Sequence, residues 1–90
     1  MEQTELQRAI EAILFAAGER IEISRLAMAL ETDEDDIERA ADALANALAF
    51  ERRGIRLIRM EDNWQLCSAP EYADMIRRAF EIRKTAKLSQ

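Results

Sequence analysis

The chain has no histidine, and it has one each of cysteine, proline and tryptophan. Without histidine the commonest general base and the commonest metal ligand are both missing. Ser24, Ser68 and Ser89 therefore have no imidazole to activate them, and each falls at a helix start or in the tail. A lone Cys67 closes no internal disulfide, and a zinc site needs about four ligands. Its expected role is that of a small packing residue on a strand. With no disulfide framework, the expected compartment is a reducing cytoplasm. Long apolar runs are missing too. The longest, Ala12 to Ala17, is far short of the about 20 residues a membrane span requires. The opening Met1-Glu2-Gln3-Thr4-Glu5 is acidic and leads into no cleavable apolar region. Together these absences predict a soluble, intracellular, non-enzymatic protein with no metal and no cofactor.

What is present is a core and a great deal of charge. Of the 90 residues, 49% are hydrophobic and 34% charged, enough for one small folded domain. The net charge of −5 hides two opposite halves. Residues 1–51 carry 13 acids against 4 bases, whereas residues 52–90 carry 5 acids against 9 bases.

Periodicity divides the chain into elements. Leu6, Ala9, Ile10, Ile13, Leu14 and Ala17 mark one face of a first helix, which Gly18 stops. Ala12, Phe15 and Ala16 form a second apolar strip beside it. That strip reads either as a helix sunk in its own core or as a face that meets another protein. Arg20-Ile21-Glu22-Ile23 alternates as a half-buried strand does. Ser24 then reads as the N-cap of a short helix 25–30, with Ile23 and Met28 as a hydrophobic staple.

Thr32-Asp33-Glu34-Asp35 resembles a capping box ahead of a long helix striped by Ile37, Ala41, Leu44 and Leu48, with Ala40 and Ala47 alongside. Arg52 and Arg53 in its last turn complement the helix dipole, and Gly54 is the expected left-handed residue after it. Residues 55–60 and 64–68 predict a hairpin around the three-residue connection Glu61-Asp62-Asn63. Ser68-Ala69-Pro70-Glu71 predicts the start of a last helix striped by Tyr72, Met75, Ile76, Ala79 and Phe80. From Arg83 the pattern gives way to a basic tail. The order is that of a winged helix-turn-helix: mainly α with a small β-hairpin and an additional C-terminal helix. The domain is expected over 1–82, with a linker over 83–90.

A winged helix invites a nucleic-acid reading. In such readers the second helix of the motif leads with its N-terminal residues into the major groove. Here those residues are Asp33, Glu34, Asp35, Asp36 and Glu38, which phosphate repels. Arg56, Arg59, Arg77, Arg78, Arg83, Lys84 and Lys87 leave room for weak or indirect DNA contact only. Nor do the acids form a calcium loop, since Glu38 stands where its glycine belongs. Helix capping and dipole compensation account for them. Binding through surfaces remains. On 55–60, Ile55 and Leu57 share one face and Ile58 and Met60 the other, so one pair needs a cover. Ala12, Phe15, Ala16, Ile58, Met60 and Trp64 are the candidates for self-association. Trp64 is either a core residue or, if exposed, an anchor.

Glu11-Ala12-Ile13-Leu14-Phe15 with Gly18-Glu19, then Gly54-Ile55, Leu57, Trp64-Gln65-Leu66, Pro70-Glu71-Tyr72 and Arg77-Arg78, resembles the first half of segregation and condensation protein B. Lys87-Leu88-Ser89-Gln90 is similar to that family's entry into a second winged helix. Tryptophan at 64, where the family more often has tyrosine, is a departure that alters no role. The resemblance implies a subunit of the bacterial SMC–kleisin complex, acting in chromosome condensation and segregation at cell division. It implies a homodimer through the N-terminal winged helix, with the kleisin subunit and SMC ATPase as partners in the full complex. It also implies a cytoplasmic location at the nucleoid and only weak kleisin binding by the first domain alone. A DNA-binding transcription regulator and a stand-alone interaction adaptor are the alternatives.

Overall fold

The computed structural model describes residues 1–88, and side chains within residues 1–82. The order is α1 (Gln3–Ala17), β1 (Ile21–Glu22), α2 (Ile23–Ala29), α3 (Glu34–Phe50), β2 (Ile55–Met60), β3 (Asn63–Ser68), a 3-10 turn (Pro70–Tyr72) and α4 (Ala73–Leu88). This is the winged-helix arrangement with one helix added. The hairpin β2–β3 takes β1 on its other edge, giving an antiparallel sheet of order β1-β3-β2.

The core follows the helical stripes. Leu6, Ile10 and Leu14 of α1 meet Ile37, Ala40, Ala41, Leu44 and Leu48 of α3, with Leu26 of α2 beneath and Leu57 and Trp64 of the hairpin closing the side. Ile10, Leu26, Ile37, Ala40 and Ala41 are wholly excluded from solvent. Each large apolar side chain so buried contributes about 1.5–3 kcal/mol. Ala47, expected beside the α3 stripe, is exposed.

Helix ends depart from expectation where tertiary hydrogen bonds decide them. Helix α2 starts at Ile23, ahead of Ser24, because the Ile23 amide donates to the Asp62 carbonyl of the hairpin turn at 2.8 Å. A first-turn amide is thereby satisfied without serine. Met28 is 78% exposed and makes no staple. Asp33, not Thr32, occupies the α3 cap position, and the Thr32 hydroxyl donates instead to Asp36 Oδ2 at 3.1 Å.

At the other end of α3, Arg52 rather than Gly54 takes the left-handed conformation, with φ 54°. The Arg53 amide reaches the Leu48 carbonyl at 3.0 Å and the Arg52 amide that of Ala49 at 3.1 Å. That closure satisfies the last carbonyls and offsets the roughly 1–2 kcal/mol of a left-handed non-glycine residue. At the end of α1, Gly18 does sit where expected, at φ 67° with its amide on the Leu14 carbonyl.

Asn63 pairs with Met60, so the hairpin turn is the two residues Glu61 and Asp62, one fewer than expected. After β3, Ala69 rather than Ser68 takes the cap position, and the 3-10 turn intervenes before α4. Helix α4 then runs on through the segment expected as linker as far as Leu88, so no break marks residue 82. Ala86, Lys87 and Leu88 are all strong helix formers, which suits that continuation. Ser89 and Gln90 lie outside the described residues.

Candidate functional site

Side chains of α1 that miss the core face the hairpin across a groove. Ala12 and Phe15 form one wall and Ile55 and Leu66 the other, with Arg8 and Glu11 at the rim, enclosing about 400 Å³. A second recess of about 250 Å³ continues along Leu14, Phe15, Gly18, Cys67 and Ser68. The groove exists because β2 outruns its cover. Ile55 points to the same side as buried Leu57 but pairs across the ladder with Ser68, so its apolar side is left open. Phe15 on the facing helix is 79% exposed. An apolar cleft bordered by one cation and one anion suits an amphipathic peptide or helix.

The six sequence candidates divide among three places. Ala12 and Phe15 line the groove, and Ala16 is exposed on α1 outside its lining. Ile58 and Met60 point to the opposite side of the hairpin, with Ile58 39% exposed and Met60 half-buried. Trp64 is corrected from surface candidate to core residue. It is 2% exposed, and its indole N–H donates to Glu38 Oε1 at 3.2 Å. Alternation on β3 puts Trp64 on the same face as Leu57, and a ring that size fills the space beside α3. The sequence reading missed Ile55 and Leu66. The available signal was Ser68 opposite Ile55, which denies that strand end an apolar neighbour.

The acidic start of α3 is partly consumed internally. Glu38 accepts from Trp64 and forms an ion pair with Arg59, while Asp36 pairs with Arg39. The Arg39 guanidinium, then the Thr32 hydroxyl, holds the Asp36 carboxyl below its usual range. Asp33, Glu34 and Asp35 remain exposed at the tip that would face a major groove. Arg56 and Arg59 of the wing and Arg77 of α4 are engaged as well, whereas Arg78 makes no ion pair among the described residues. Arg56 reaches Glu71 at 3.6 Å, and Arg77 reaches Asp74 at 3.1 Å and Glu81 at 3.9 Å. The side chains of Arg83, Lys84 and Lys87 lie outside the described residues. The acidic tip of α3 is not arranged to bind duplex phosphate.

With Tyr72 of the 3-10 turn, helix α4 carries a largely exposed apolar face over its described side chains. Tyr72 and Ile76 are half-buried, but Met75, Phe80 and Ile82 are 57%, 61% and 69% exposed. The expected stripe is therefore present but mostly not in the core. Among the described residues no helix is long and apolar enough to cross a membrane.

Known proteins are similar to this chain in sequence and in fold. Residues 8–90 match the family described as segregation and condensation complex subunit ScpB. Segregation and condensation protein B of Caldanaerobacter subterraneus subsp. tengcongensis is 38% identical over 81 residues, covering 90% of this chain and 48% of that protein. The chain spans about half the length of the curated relatives it matches. The crystal structure of ScpB from Mycobacterium tuberculosis superposes with a TM-score of 0.88 at 20% identity, covering 93% of this chain and 52% of that one. A crystal structure of a dimer of ScpB N-terminal domain complexed with ScpA peptide gives a TM-score of 0.76 at 28% identity, covering 81% and 91%. By its sequence over residues 8–90 and by its fold, this chain belongs to the ScpB family of segregation and condensation complex subunits.

Proposed function

We propose that this chain is the self-associating winged-helix part of a non-enzymatic subunit of the bacterial SMC–kleisin complex, acting in chromosome condensation and segregation. The observation that carries the reading is the family match over residues 8–90, on a winged helix whose DNA-reading tip is acidic. Surface contact with proteins is what the molecule offers: an apolar groove beside α1 and an apolar face on α4. Residues 1–82 act as the domain and 83–90 lead out of it. The compartment is the cytoplasm, at the nucleoid through the complex.

A relative's N-terminal domain was crystallised as a dimer complexed with ScpA peptide. That weighs against the expectation that the first domain alone holds kleisin only weakly, so a kleisin contact belongs to the proposal, with the SMC ATPase joined through it. Sedimentation equilibrium at tens of micromolar tests the reading. A dimer is expected, and a strict monomer would sink it.

A further inference from the structure

We propose that the outer edge of β2 takes an extended segment of a partner protein as an added strand, acidic at the end beside Arg52 and Arg53 and basic at the end beside Glu61 and Asp62. The inference goes beyond self-association and stands without it. Its first support is the backbone. In the sheet order β1-β3-β2, strand β2 has a neighbour on one edge only. The Ala69 amide donates to the Gly54 carbonyl at 2.8 Å, which fixes the phase of the ladder. With Ile55 opposite Ser68, it is Arg56, Ile58 and Met60 that turn their amides and carbonyls toward β3. Those of Ile55, Leu57 and Arg59 point outward. Of these outward groups, only the Ile55 carbonyl has a partner among the described residues, Arg56 Nη1 at 3.2 Å. The ladder runs unbroken from Ile55 to Met60, so neither a bulge nor a proline blunts the edge.

Side chains along this edge are the second support. Ile55 and Ile58 are 37% and 39% exposed, one on each face of the sheet. Ser68 stands opposite Ile55 and Gln65 opposite Ile58, so neither has an apolar side chain directly across the ladder. A strand added about 4.8 Å outside β2 lays its own side chains beside both.

Charge gives the occupant its polarity. Arg52 and Arg53 precede β2, outnumbering Glu51 beside them, and Glu61 and Asp62 follow it. These four are exposed and make no ion pair among the described residues. Arg56 and Arg59 between them are held by Glu71 and Glu38. The edge is therefore positive at its start and negative at its end, and a segment of the opposite order complements it. Duplex DNA does not. Phosphate accepts from N–H groups but offers nothing to the outward carbonyls, and Glu61 and Asp62 at the wing tip repel it. An extended peptide supplies donors and acceptors in alternation, as the edge itself does.

The test uses the 90-residue chain and an end-blocked peptide of two lysines, six alternating threonines and valines, and two aspartates, in that order. Running antiparallel to β2, it brings its lysines to Glu61 and Asp62. Amide exchange is read residue by residue by NMR. With the peptide at about ten times its Kd, exchange of the Ile55, Leu57 and Arg59 amides is expected to slow about tenfold. The ladder amides of Arg56, Ile58 and Met60 should change little. Lysines in place of the aspartates should weaken binding several-fold, and unchanged binding would overturn the charge polarity. Of the two peptides N-methylated at alternate residues, only the one that keeps its donors toward β2 should bind. No binding at millimolar peptide, binding that leaves the three outward amides unprotected, or equal binding of both N-methylated forms would overturn the proposal. So would protection of those amides by a DNA duplex in place of the peptide, or by a second copy as the free chain is concentrated.

Discussion

The body of the molecule and its last helix are built from similar amphipathic helices, yet one buries its apolar stripe and the other does not. In α1, α3 and the hairpin, Leu14, Ile37 and Trp64 are almost wholly hidden by neighbours in the same chain. In α4 an equally regular stripe leaves Phe80 and Ile82 more than half exposed. Periodicity thus reports that a face needs a cover, without saying whether the cover is intramolecular. In a family of complex subunits, the uncovered face is where partners are to be sought.

The comparison is broken most forcefully in the core. Ile37→Ala should cost about 2–5 kcal/mol in urea unfolding, from lost burial and the cavity left behind. Phe80→Ala should change the stability of the dilute monomer by no more than about 0.5 kcal/mol, as exposed positions do. Equal losses at the two sites would mean that α4 belongs to the core.

A smaller effect is expected where polar and apolar parts of the body meet. Glu38→Ala leaves the buried Trp64 N–H without its acceptor and Arg59 without its partner, which should cost about 1–3 kcal/mol. Glu38→Gln retains an amide oxygen and should recover part of that loss. Tryptophan fluorescence during unfolding reports both.

The smallest effect is pH-dependent. The lowered pKa of Asp36 means that its contribution is present above the ordinary carboxylate value of 3.8 and is lost as pH falls through the lowered one. Asp36→Asn should therefore be less stable than the parent at neutral pH, with the two curves converging in acid. A gap that persisted at low pH would assign the effect to something other than the carboxylate.

Much of the fold was legible because the stripes of α1 and α3 are dense and regular. Leu6, Ile10, Leu14, Ile37 and Leu44 needed only their spacing to be placed. The end of α1 at Gly18 was legible, but the start of α2 was not, since it is decided by a hydrogen bond to Asp62, far away in sequence. Arg52 displaced Gly54 for a similar reason, because closure of α3 depends on where its last carbonyls find donors. Half of the groove could be read in Ala12 and Phe15. The other half could not, because Ile55 and Leu66 look like core residues until the ladder shows Ser68 opposite Ile55.

The contrast between a self-sufficient body and a helix that needs a partner is tested most directly by amide hydrogen exchange at two protein concentrations. Protection in α1 and α3 should be the same at both, whereas amides of α4 should exchange fast in dilute solution and slow markedly as the dimer forms. An α4 equally protected at both concentrations, in a chain shown to be monomeric at the lower one, would contradict the account.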